Sequence, residues 1–544
     1  MKDFLRGNGA WVGLAGVFIF SAALKGSLLK IGAPFTTIDD ITAYNGGFLV
    51  WFGNSPPQRM FLESWVYGLS SLATYLVHLV RAGQLETLGS NLVADAYRHF
   101  HHHPEPYVTS YRSLMLLVDL ATAVLTWRLA RLVLADRWRG WAAALVAALY
   151  LLSYNTVWCN VVARPDTLVT FFSTLGLYWY YKSEFGERSG FFQLSAVALG
   201  LAGGLKLHAV FFVVFITLDL LRVYGLRRAW SRIVPFGLIA VFLFLVGTGM
   251  LLFDPLRYIK LRMLNVVDDA SPWIQWGEQI LAALKGTGWV VLPLVGLGAW
   301  QAWRDRSDRR AGSVALLAVG WMILFLSIRQ LRPYWMLPAL PVFYLAAVLA
   351  LTRVRQRAVA MAMVAVLVIL CAVQTVHQAS VLRGVQHHQL RDWVTTHVDP
   401  SEPVFMYGYE ALALPRNTVC IRTIGKGLER GLVRDLAEDL PQVERHLKNW
   451  EEQSALALFD LLNFRNEAGF SLYSFYRTPL ESLTGLITLD DMTWVLAQSG
   501  FHPAEGRDLE ERLSLEFEPV TTVTGNGGGG AGLEYTVYRR KAQP

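Results

Sequence analysis

Long apolar runs recur along this chain, and most are separated by only a few polar residues. They cover Ala10–Ile31, Ser113–Leu134, Trp141–Val161, Thr167–Tyr181, Phe191–Gly204, Ala209–Val223, Ile233–Phe253, Gly286–Trp303, Ser313–Ile328, Tyr334–Thr352 and Ala358–Val376. A helix needs about 20 apolar residues to cross the hydrocarbon core of a bilayer. The pattern therefore predicts a polytopic α-helical membrane protein with about 11 transmembrane helices.

The segment between the first two runs, Gly32–Tyr111, has a different texture. Phe48-Leu49-Val50-Trp51-Phe52 and Phe61-Leu62-Glu63-Ser64-Trp65-Val66-Tyr67 are aromatic-rich but interrupted by polar groups, and Leu69–Val80 is apolar but short. Such pieces suit interfacial helices in a first outer loop better than spans. Asn54-Ser55-Pro56-Pro57 breaks the chain between two of them.

Basic residues in short loops orient the spans. Arg137/Arg139, Arg222/Arg227/Arg228/Arg232, Arg304/Arg306/Arg309/Arg310 and Arg353/Arg355/Arg357 mark inner loops. Parity then decides one ambiguous run. Arg137 and Arg222 must lie on the same side, so Phe191–Leu221 has to be two short helices that turn near Lys206-Leu207-His208. On this topology the N-terminus is cytoplasmic. The loop after the first span, Arg164-Pro165-Asp166, Lys206/His208, Arg329/Arg332 and everything after Val376 face outward.

From about Arg383 the character changes. Val404–Tyr407, Thr418–Arg422, Leu483–Leu489, Leu513–Glu518 and Leu533–Tyr538 read as strands, and Gly427–Glu451 as a charged amphipathic helix. The expectation is a transmembrane domain over residues 1–380 and an extracytoplasmic soluble α/β domain over 381–544. The glycine-rich stretch 525–532 lacks a following helix and reads as a hairpin loop, not a phosphate cradle.

Composition agrees with a membrane protein. Of 544 residues 53% are hydrophobic and 17% charged, with a mean hydropathy of +0.35; soluble domains carry about 25% charge. The net charge of +7 is mostly arginine between the runs, which reflects orientation. With no basic tract interleaved with aromatics, nucleic-acid binding is set aside. Met1-Lys2-Asp3-Phe4-Leu5-Arg6 precedes an apolar run without a cleavage site at the right distance, so an uncleaved first span is expected. The three cysteines show no metal spacing and read as core residues.

The candidate chemistry gathers on the outward side. Asp39 and Asp40 follow the first span in Pro34-Phe35-Thr36-Thr37-Ile38-Asp39-Asp40-Ile41. Neighbouring carboxylates repel and lose solvation if folded inward, so such a pair either faces water or serves a site. Arg112, Lys206, Arg329 and Arg332 are outward cations suited to phosphate, or alternatively to lipid head groups. His208 reads as a phosphate donor or a buried polar group, and Arg164 and Asp166 as a local ion pair. His99-Phe100-His101-His102-His103 reads as a polar surface loop, because three consecutive histidines cannot aim at one ion; no metal site is expected.

In this order and placement, the motifs resemble the GT-C membrane glycosyltransferases, in the branch of the protein O-mannosyltransferases and the aminoarabinose transferase. Ile38-Asp39-Asp40-Ile41 stands where that branch carries Asp-Glu or Asp-Asp. Ser110-Tyr111-Arg112-Ser113-Leu114 is similar to its arginine at the second span. Ala163-Arg164-Pro165-Asp166-Thr167-Leu168 resembles a recurrent Asp-containing stretch, and Gly203-Gly204-Leu205-Lys206 its glycine–lysine turn. Arg332-Pro333-Tyr334-Trp335-Met336-Leu337-Pro338-Ala339-Leu340-Pro341 is similar to its Arg-Tyr-apolar-Pro signature. The likeness covers residues 1–378.

The resemblance implies transfer of a sugar from a polyprenyl-phosphate donor to an acceptor hydroxyl. It implies Asp39 as general base, with Asp40 or Glu63 orienting the acceptor, and no cofactor. The basic residues would hold the donor phosphate where negative charge develops. Two other classes stand beside it: a lipid or solute transporter or flippase without chemistry, and a polymerase or ligase of lipid-linked glycans. Transporters place ionisable groups near the midplane and often carry internal repeats. This chain shows no repeat, and its interrupting charges lie at one surface.

Overall fold

The computed structural model describes residues 2–30, 61–87, 92–134, 139–162, 164–248, 272–305, 308–327, 333–383, 386–407, 414, 417, 419–420, 469–473, 488–498, 506–524 and 534–542. These fall into two compact units. The first holds the described residues up to 29, with 61–70 and 110–379; the second holds Lys30 and the described residues of 71–109 and from 380 onward.

Among the described residues, each apolar run of the first unit is mainly helical. The helices are α1 (Lys2–Gly26), α2 (Phe61–Ala82, which continues into the second unit), α3 (Leu92–His102, in the second unit), α4 (Pro104–Val133), α5 (Arg139–Leu151), α6 (Tyr154–Val161), α7 (Asp166–Lys182) and α8 (Ser189–Leu205). They continue as α9 (Val210–Thr248), α10 (Pro272–Thr287), α11 (Val291–Arg304), α12 (Arg309–Ser327), α13 (Leu340–Thr352) and α14 (Arg357–Arg383). Among the described residues five helices are long and apolar enough to cross a bilayer, and seven if each of two bent pairs is one span. One of the five, residues 207–248, contains the predicted run Ala209–Val223 and the described part of Ile233–Phe253, parted where Gly225 leaves helical geometry at φ 71°. The protein is a multi-pass membrane protein.

The turn required by parity is present. α8 stops at Leu205, Lys206 is extended at φ −151° and ψ 129°, and a single 3-10 turn, Leu207–Ala209, leads into α9. Glycines let α8 lie against the second half of α9, since a Cβ on Gly204 would sit 2.8 Å from Gly247 Cα. Small residues at crossings are how helices approach closely where the solvent is lipid. The core centres on α13, whose residues Leu340–Leu351 are all buried. Gly298 of α11 admits it, because a Cβ there would collide with the Ala346 carbonyl.

A polar knot is set within the apolar packing. Asp219 accepts from the Tyr180 hydroxyl at 2.9 Å and from Ser313, and pairs with Arg222 at 2.7 Å. Arg222 also donates to the Arg309 carbonyl at 2.9 Å. An arginine read only as an orienting charge thus also ties α9 to the start of α12.

In the second unit, β1 (Val404–Tyr407), β2 (Leu472–Tyr473), β3 (Trp494–Gln498), β4 (Phe517–Thr524) and β5 (Glu534–Arg540) form one mixed sheet in the order β2-β1-β3-β5-β4. β1 runs parallel to β2 and β3, while β5 is antiparallel to β3 and β4. Helix α15 (Gln386–His397) buries Leu390 and Val394 in the core with Met406, Leu496 and Val537.

The first predicted strand is present, as is the last from Glu534 onward, and the described parts of the others need correction. Leu489–Asp491 is a 3-10 turn closed by a Thr488–Asp491 capping box, and the strand follows at Trp494. Those hydrogen bonds, from the Thr488 amide and then its hydroxyl, hold the Asp491 carboxyl below its usual range. Its stabilising contribution is therefore present at neutral pH and lost on acidification through that lowered value. Leu513–Glu516 ends helix α16 (Gly506–Glu516), where Leu509 and Leu513 recur at helical spacing, and β4 begins only at Phe517. Val419 and Cys420 are in a helical turn, not a strand. Residues 427–451 and 525–532 lie outside the described residues.

Candidate functional site

The turn after α6 and the turn after α8 bring their charges together. Val162 leaves α6 in extended geometry, and α7 starts at Asp166 behind Pro165. Asp166 is fully buried, and both its oxygens accept from Lys206 Nζ, at 2.8 and 2.7 Å. The expected Arg164–Asp166 pair is therefore corrected: the carboxylate closes on a residue 40 positions away. The Arg164 guanidinium lies over the Tyr334 ring, 4.0 Å from the centroid. Lys206 Nζ stands 5.4 Å from the same ring.

The Tyr334 ring therefore has two cations near it, an arrangement that desolvation strengthens. Next to it Trp335 stacks on His208, with centroids 5.8 Å apart and planes 14° apart, and Trp321 meets the same imidazole edge-on. The 3-10 turn Pro333–Ala339 carries both Tyr334 and Trp335, its prolines preventing a regular helix before α13. Arg164, Asp166, Lys206, His208 and Tyr334 thus form one cluster at the ends of α6, α8 and α13. Three of the five, Arg164, Asp166 and Tyr334, were singled out in sequence only as motif members or a local pair. Their proximity follows from the two turns, which no local pattern encodes.

The remaining candidates are distributed as follows. Arg112 is fully buried, and its Nη1 donates to the Leu29 carbonyl at 3.0 Å, just beyond α1. Tyr111 beside it stacks on Tyr67 with centroids 4.3 Å apart. Asp39, Asp40, Arg329 and Arg332 lie outside the described residues, as does the side chain of Glu63, a residue of α2.

The histidine-rich stretch is corrected from loop to helix. Leu92, Ala96 and Phe100 recur at helical spacing, so His99 falls within α3, and Pro104 starts α4 as proline favours. His99 Nδ1 lies 2.9 Å from the Tyr107 hydroxyl, and its ring packs on His78 at 4.1 Å and His103 at 4.9 Å. Among the described residues no group of three His, Cys, Asp or Glu side chains is placed to hold a metal ion. All three cysteines are free and buried.

This arrangement of helices and sheet is shared with solved structures. ArnT from Cupriavidus metallidurans in the apo state superimposes with a TM-score of 0.51, covering 98% of this chain and 100% of that one, at 13% identity. The chain has the GT-C fold. ArnT bound to undecaprenyl phosphate matches equally, with a TM-score of 0.51 at 13% identity, covering 98% of this chain and 99% of that one. Archaeal oligosaccharyltransferase AglB from Archaeoglobus fulgidus, in complex with an inhibitory peptide and a dolichol-phosphate, aligns at a TM-score of 0.47 and 9% identity, over 96% of this chain and 74% of that one. No family model matches the sequence. No curated protein matches it either.

Proposed function

We propose that this protein transfers a sugar from a polyprenyl-phosphate donor to an acceptor hydroxyl at the extracytoplasmic face of the cell membrane, with inversion. The observation that carries the reading is the Arg164–Tyr334–Lys206–Asp166 cluster, set in a chain whose fold is that of ArnT, a protein crystallised with undecaprenyl phosphate. Two Lys206 N–H bonds go to Asp166, and the ammonium has a third. Lys206 and Arg164 supply fixed positive charge for a lipid phosphate. Arg332 and Arg329, from the same stretch as Tyr334, add guanidinium forks that match phosphate geometry. His208 offers a further donor, held by its stacking on Trp335. Arg112, bound to the Leu29 carbonyl, is assigned to holding the end of α1 in the same site.

In the reaction the acceptor oxygen attacks the anomeric carbon and the carbon–oxygen bond to phosphate breaks. The electron pair leaves with the polyprenyl phosphate, whose developing charge the cations stabilise. Asp39 takes the acceptor proton, and Asp40 or Glu63 orients the hydroxyl. Mass spectrometry of lipid co-purified with the protein tests the donor class: a polyprenyl-phosphate sugar supports the reading, and a consistent absence of any polyprenyl lipid counts against it.

Two expected results follow from this assignment. A reporter active only in the cytoplasm, fused after Pro544, should stay silent, because the inner arginine loops put that end outside; activity there would invert every site assignment. Tyr334→Phe should keep undecaprenyl-phosphate affinity within about twofold, whereas Tyr334→Leu should weaken it about fivefold, since a cation–π contact contributes roughly 0.5–1 kcal/mol. Equal behaviour of the two variants in isothermal titration would show that the ring face does not hold the cations.

A further inference from the structure

We propose that Asp119, buried in α4, is a positioning residue for the phosphate cluster and acts on it through Asn160 of the short helix α6. The inference rests on the phosphate reading above. Four helices meet at this one carboxylate. Lys25 of α1 donates to Oδ2 at 2.6 Å, Tyr150 of α5 to Oδ1 at 2.8 Å, and Asn160 Nδ2 to Oδ2 at 3.3 Å. The side chains of Lys25 and Asp119 are 0% and 1% exposed, so solvent cannot replace a lost partner. Ionisable groups buried within spans are costly, and that cost points to a role beyond packing.

The arrangement of α6 indicates the role. Eight residues are too few to hold a helix in place by themselves. At its start Asn155 donates to the Gly286 carbonyl at 3.1 Å, and at its end Asn160 reaches Asp119 while also donating to Thr156 O at 2.8 Å. Immediately after that second tether come Arg164 and Asp166. The direction in which α6 ends therefore sets where Arg164 meets Tyr334 and where Asp166 meets Lys206. An apolar contact among the same four helices would fill space equally well, but it would leave the rotation of α6 unspecified.

The test uses the full-length protein in detergent with two readouts: undecaprenyl-phosphate affinity, and maleimide labelling of Cys159, a buried thiol beside Asn160, located by peptide mass. Lys25→Met/Asp119→Leu removes both charges and the acceptor. Lys25→Met/Asp119→Asn removes the charges but leaves an amide that can pair with Asn160 and Tyr150. The first variant should label at Cys159 at least tenfold faster and bind undecaprenyl phosphate about tenfold more weakly; the second should stay within about twofold of wild type in both. Asn160→Leu should repeat the first result, and it decides the matter if the Lys25→Met/Asp119→Leu variant fails to fold. Unchanged labelling, or faster labelling with unchanged affinity, overturns the proposal. If wild-type protein binds no undecaprenyl phosphate, the phosphate reading falls and with it the positioning of a phosphate site, even where faster labelling still shows Asp119 holding α6.

Discussion

Asparagine at position 39 is expected to slow sugar transfer by about 10²–10⁴-fold, the range that a general base contributes. The amide keeps the size of the carboxylate and much of its hydrogen bonding but cannot accept the acceptor proton. Affinity for undecaprenyl phosphate should persist, because the proposed phosphate holders are cations on other elements. It should tighten slightly if Asp39 stands near the phosphate, since one repelling charge is removed. Asp40→Asn and Glu63→Gln should cost less, because orienting an acceptor is a smaller task than taking its proton. Transfer rate and affinity measured on the same folded variant separate the enzyme from a transporter of the same lipid. Parental transfer by Asp39→Asn would shift the base to Asp40 or Glu63. Parental transfer by all three variants would remove the chemistry from this acidic segment altogether.

The architecture was legible in the sequence where the signal was local and repeated. Among the described residues each apolar run is mainly helical, and loop charges place the break at Lys206 inside what hydropathy alone presents as one long run. The polar contacts were much less legible, because their partners are remote. Asp166 stands two residues from Arg164, and short-range reasoning paired them; the fold instead turns twice and closes the carboxylate on Lys206. Lys25, Asp119 and Asp219 lie within or beside apolar runs, where a single charge barely changes mean hydropathy. Yet Asp119, which Lys25 meets, and Asp219 are each a junction of several helices. In the sheet domain the apolar–polar alternation located β1 and β5. It failed at 488–489 and 513–516, where a capping box and the end of helix α16 occupy short stretches that alternate equally well.

The Lys206–Asp166 pair carries the second large effect, and its two residues should respond differently. Lys206→Met removes the proposed charge-assisted contact to the phosphate, and such a contact is worth roughly 1.5–3 kcal/mol. It also leaves Asp166, wholly buried, without the ammonium that both its oxygens use. An unpaired buried carboxylate facing an anionic ligand opposes binding, so affinity for undecaprenyl phosphate should fall by more than the lost contact alone, about 10²–10³-fold. The same change should lower the melting temperature, because breaking a buried pair from one side costs about 3–5 kcal/mol. Lys206 is 21% exposed, so the lower end of that range applies. Adding Asp166→Asn to Lys206→Met removes the stranded charge, so the double variant should recover most of the melting temperature. Affinity should recover only in part, because the repulsion is gone but the cation has not returned. A double variant that regains full affinity would show that Lys206 serves the fold and never touches the phosphate. A single variant that loses stability but no affinity would say the same, and the proposed phosphate site would then rest on Arg164, whose guanidinium lies over Tyr334.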